Sequence, residues 1–134
     1  MFKDPFNPTE SELRVWANDP NAAYPEEMSQ DWDLILANFD FAPSLIKLVC
    51  EESPNRKFFL SCLYILSGDC VRGKINKNCM EKVNELFMQV PHNCPADLSL
   101  WVERSKVLFN SPEKYEYDKW GWGDLANNDD AAEI

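Results

Sequence analysis

Residues 56–72 read RKFFLSCLYILSGDCVR, and their composition decides the fold. Between charged ends the stretch carries Phe58, Phe59, Leu60, Cys62, Leu63, Tyr64, Ile65, Leu66, Cys70 and Val71, with little polar material to mark a solvent face. A helix apolar nearly all round has to be covered by other elements. Ser53 is placed to act as its N-cap, Pro54 suits a first helical position, and Gly73 suits a stop, so a buried central helix is expected over about 54–72. Its greasiest part, Phe58 to Leu66, is about half of the roughly 20 residues that span a bilayer. The segment therefore reads as core and not as a membrane anchor.

Amphipathic candidates lie on both sides of this rod. Thr9 and Glu12 form a capping-box pattern ahead of Leu13 and Trp16, and the helix they open should close near Asn18, before Asp19-Pro20. Trp32, Ile35, Leu36 and Phe39 fall at i, i+3, i+4 and i+7, and Leu45, Leu48 and Val49 share one side of a third helix running to about Glu52. Beyond the rod, Asn78 with Glu81 resembles another N-terminal box, with Met80, Val83, Phe87 and Val90 following until Pro91. Pro95 then opens a helix in which Leu98, Trp101, Val102, Ser105, Leu108 and Phe109 share a face. Ser111-Pro112 repeats the earlier cap signal and predicts a last short turn or helix through Tyr115 to Asp118.

No segment alternates with period two, and only four glycines are present. The expected fold is all-α, a compact bundle of five to six helices around the central one. At 134 residues the chain is sized for one domain. Residues 1–124 are assigned to it, and 125–134 to a mobile acidic C-terminal tail.

The net charge of −10 is unevenly spread. Residues 1–40 hold nine acids and two bases, 113–134 hold seven and two, and 41–112 hold seven and nine. This balance argues against nucleic acid and against an anionic membrane surface, both of which select Lys and Arg. The short basic segment Arg72, Lys74, Lys77 and Lys82 offsets it only locally.

Five cysteines, at 50, 62, 70, 79 and 94, follow no framework spacing. The start of the chain has no apolar signal region, and Cys62 and Cys70 sit in the greasy helix, where a free thiol behaves as a small hydrophobe. A reducing cytoplasm is the expected setting.

Chemistry is hard to find. His92, the one histidine, stands two residues from Cys94 in a proline-flanked turn, with no third group to orient it. Cys70, Cys79, His92 and Cys94 lack the tight pair that zinc sites use. The carboxylate pairs Glu26-Glu27, Asp31/Asp33 and Glu51-Glu52 lie in polar connections or at helix ends. No phosphate-binding glycine loop and no nucleophile elbow occurs, and neither cofactor nor metal is expected.

What is left is recognition. Tyr115, Tyr117, Trp120, Gly121, Trp122 and Gly123, flanked by Asp118 and Asp124, would either close the core or offer a binding surface. The reading adopted is a small acidic protein, not an enzyme, that binds another protein of basic character, as an inhibitor or immunity-type antidote. Glu26, Glu27, Asp31 and Asp33 would steer the partner, and Trp120, Trp122 and Asp124 would anchor it. The alternatives are a self-associating scaffold protein and, behind it, an enzyme using buried carboxylates. Oligomeric state is not fixed by the sequence.

Overall fold

The computed structural model describes residues 2–4, 6–23, 32–71 and 77–111. They form six helices and no strand: α1 (Glu10–Ala17), α2 (Trp32–Leu36), α3 (Ala42–Cys50), α4 (Arg56–Asp69), α5 (Lys77–Phe87) and α6 (Ala96–Asn110). The expected tail 125–134 and the last short helix from Ser111 to Asp118 fall outside the described residues, apart from Ser111 itself.

The central helix is α4. Phe59, Leu60 and every residue from Cys62 to Gly68 are buried, and one apolar cluster joins Phe59, Leu60, Cys62, Leu63, Tyr64 and Leu66 to Leu13, Trp32, Leu45, Val83 and Trp101 from the other helices. The reason is composition: with no wide polar stripe, α4 has to be wrapped on several sides.

Its bounds are tighter than the expected 54–72. Asn55, not Ser53, is the N-cap residue, and it makes no side-chain cap bond to its own helix. Its amide instead donates across the fold to Trp16 O (3.0 Å) and Asp19 O (2.8 Å), and its N–H donates to Ala17 O (3.2 Å). The polar capacity of Asn55 thus closes the end of α1, and α4 begins one residue later, at Arg56. At the other end Cys70 and Val71 turn off the helix, their N–H groups reaching Ser67 O and Gly68 O.

Cys70 carries a disulfide to Cys79 on α5, which corrects its reading as a free buried thiol. The reducing-compartment expectation loses that support, while Cys50, Cys62 and Cys94 remain free.

α1 opens as expected, with the Thr9–Glu12 capping box complete. Arg14 ties it to α3 by a two-point bond to Glu51 (2.8 and 2.7 Å), and Glu10 accepts from Ser44 (2.8 Å). These pairs are partly exposed and contribute little to stability. α2 stops at Leu36, short of Phe39, because Asn38 turns the chain and its side chain accepts from the Asp40 N–H (2.8 Å).

α4 and α6 run in the same direction. Arg56 pairs with Asp97, the Trp101 indole N–H donates to Leu63 O and Ser67 Oγ (3.0 Å each), and Ser105 donates to Ser67 (3.0 Å). Partners advance together along both helices, so a crossover must intervene, and α5 supplies it. Phe87 at the end of α5 packs edge-on to Trp101, with ring centres 5.2 Å apart. Among the described residues no helix is long and apolar enough to cross a membrane.

The Arg56 fork on Asp97 generates a pH prediction. Its two bonds hold the Asp97 carboxyl below its ordinary value of 3.8. A depressed carboxyl stabilises the fold fully above its unfolded pKa, and this is lost as pH falls through the folded one. Asp97→Asn should therefore cost about 1–3 kcal/mol at pH 7 by urea denaturation, and the gap to the parent chain should narrow as pH falls below the ordinary value of 3.8.

Candidate functional site: an aromatic-floored groove

An open groove enclosing about 450 Å³ lies between the end of α1 and the start of α4, lined by Trp16, Ala22, Ala23, Pro54, Asn55, Lys57 and Phe58. Three separate segments meet there, for identifiable reasons. Trp16 sits on the apolar side of α1, Phe58 on the first turn of α4, and the Asn55 bonds hold the two helix ends together. The Trp16 indole N–H donates to Ala23 O (3.0 Å), which lays the chain after α1 along the groove wall.

The floor belongs to a cluster of aromatic rings. Trp16 stands 5.0 Å from both Trp32 and Phe58 and 5.8 Å from Phe59, while Trp32 stacks on Phe58 at 5.3 Å and takes Phe2 on its edge at 5.2 Å. Trp16 is 3% exposed and Trp32 1%, so the rings form a rigid base and do not project as free anchors. At the rim Lys57 is exposed. The surface thus combines ring edges, two alanines, a proline and one ammonium. That set suits recognition of an apolar group, and it contains no nucleophile with a base beside it.

Of the residues singled out from sequence, Glu26, Glu27, Asp31, Trp120, Trp122 and Asp124 lie outside the described residues. Asp33 is described, half-buried in the first turn of α2. One carboxylate oxygen accepts from the Leu34 N–H (2.8 Å), and the charge reaches the buried Cys62 thiol, which is raised first by burial and further by Asp33. Its field is therefore partly spent inside the fold.

Residues 24–31 join Ala23 to Trp32, and both of these touch Trp16.

The other candidates stand apart. His92 is exposed in its turn, and Cys94 is half-buried. Glu51 is held by Arg14, which lowers its pKa, and Glu52 is exposed. Hydrogen bonds hold the Glu10, Glu12, Glu51 and Asp97 carboxyls below their ordinary range, and no described group of three or more His, Cys, Asp or Glu could hold a metal ion.

Sequence reasoning missed the groove because no local pattern marks it. The nearest signal was Asn55, a polar residue directly before an apolar helix and without a local task. Asn55→Ala should leave the Trp16 and Asp19 carbonyls short of a donor and cost about 1–3 kcal/mol, seen as a lower urea midpoint at unchanged slope. Asn55→Asp, which turns an acceptor toward those two carbonyls, should cost at least as much.

No family model, curated protein or solved structure matches this chain.

Proposed function

We propose that this chain is a protein-binding protein, an inhibitor or immunity-type antidote that masks a basic partner. The observation that carries this reading is the groove: a preformed apolar seat whose flanking ends, Ala23 and Trp32, are bridged by a segment bearing Glu26, Glu27 and Asp31. The acids, with Asp33, attract a cationic surface over a distance comparable to the Debye length, and an apolar side chain of that surface then settles on Trp16 and Phe58. Trp120, Trp122 and Asp124 supply a second anchor from the C-terminal segment, inserted into the partner. A cytoplasmic setting belongs to the same proposal.

The two roles separate kinetically. Affinity capture at low salt should recover a basic protein. Against that protein, reversing Glu26, Glu27, Asp31 and Asp33 to Lys should slow association about tenfold or more and flatten its salt dependence. Ala23→Arg, at an exposed groove position, should instead speed dissociation. Unchanged association by the reversed chain would remove the steering role. Light scattering that shows a stable homo-oligomer without partner would favour the scaffold reading.

A further inference from the structure

α3 ends at Cys50, and Cys94 lies in the link that leads into α6. Arg56 brings these two places together. Its Nε donates to Val49 O (2.9 Å), directly before Cys50, and its two terminal nitrogens donate to the Asp97 carboxylate (2.7 Å each), three residues after Cys94. The link itself is fixed, since the Cys94 N–H donates to Pro91 O (3.2 Å) and the Leu98 and Ser99 N–H groups to Pro95 O.

Both thiols are free, half-buried and packed against the core. Burial pushes the Cys50 thiol up and Cys94 adds to it, so the two sulfurs lie within electrostatic reach of one another at the corner where Arg56 joins their segments. The contrast with Cys62 is useful, because Cys62 is 0% exposed and out of reach of any reagent in the folded chain.

We propose that Cys50 and Cys94 are a redox-active dithiol, closed to a disulfide by a low-molecular-weight disulfide such as oxidised glutathione. One thiol gives its proton to solvent, and the thiolate attacks a sulfur of the reagent. The reagent's S–S bond breaks, and one thiol equivalent leaves with the proton returned. The second cysteine then loses its proton and attacks the mixed disulfide, and the second reagent thiol departs. Two electrons and two protons pass from the protein to one reagent disulfide, which becomes two thiols. The new bond would staple α3 to the start of α6 around a loop that holds the whole of α4 and α5.

The test uses the full chain carrying its Cys70–Cys79 bond. After incubation with oxidised glutathione it is denatured and alkylated without reductant. Three adducts are expected before oxidation, at Cys50, Cys62 and Cys94, and one afterwards, at Cys62. The oxidised chain should be lighter by about 2 Da, and peptide mapping should join Cys50 to Cys94. The melting temperature should rise by roughly 5–10 °C and return on mild reduction. Cys62→Ser should keep the loss of two alkylation sites, whereas Cys50→Ser and Cys94→Ser should each abolish it. Three persistent adducts in the parent chain, a glutathione retained on either cysteine, or a new bond between other cysteines would overturn the proposal.

Discussion

The Arg56 guanidinium donates in two directions at the point where α3, α4 and α6 meet: to the last turn of α3 through Val49 O, and to the first turn of α6 through Asp97. Both members of the pair are about four-fifths buried, with side chains 18% and 20% exposed. At that depth desolvation offsets much of the attraction, so the pair is weak evidence for stability. Its geometric consequence is stronger. A planar fork on a carboxylate permits one relative position of two helix starts, whereas apolar packing alone tolerates sliding.

A second fixed point follows from the first. With Asp97 seated on Arg56, Trp101 arrives beside Leu63 and Ser67, where its indole N–H finds two acceptors. Two points on parallel helices determine their register. Parallel register then obliges the chain to return between them, which is the task of α5, tied to the end of α4 by Cys70–Cys79. The groove depends on the same corner. Asn55 precedes Arg56, and its bonds to Trp16 and Asp19 hold only while the start of α4 stays in place.

Wherever local physics and packing agreed, the fold was legible in the sequence. The greasy run of α4 had only one sensible place, and the Thr9–Glu12 box fixed the start of α1 within a residue. Misreadings came where a polar side chain served a distant segment or a turn. Pro54 looked like a helix start, but the chain uses Asn55 to close α1, and the helix waits until Arg56. Phe39 continued the apolar period of α2, but the Asn38 turn outweighed one more ring on the stripe. Cys70 and Cys79 stand at a spacing that matches no recognised framework, so their bond had no sequence signal. The groove is assembled from residues 16, 22–23, 54–55 and 57–58, and no window of sequence contains it.

The charge has a similar logic. Of the 23 acids, ten lie in residues 24–31 and 113–134, outside the described part, which itself holds thirteen acids against nine bases. The described helices are thus only mildly negative, and several of their charges, Glu10, Glu51 and Asp97 among them, are already committed to internal partners. An exterior field strong enough to attract a cation has to come mainly from the two acidic segments. The first of them, residues 24–31, joins Ala23 to Trp32 in the sequence, and these two described residues each contact Trp16.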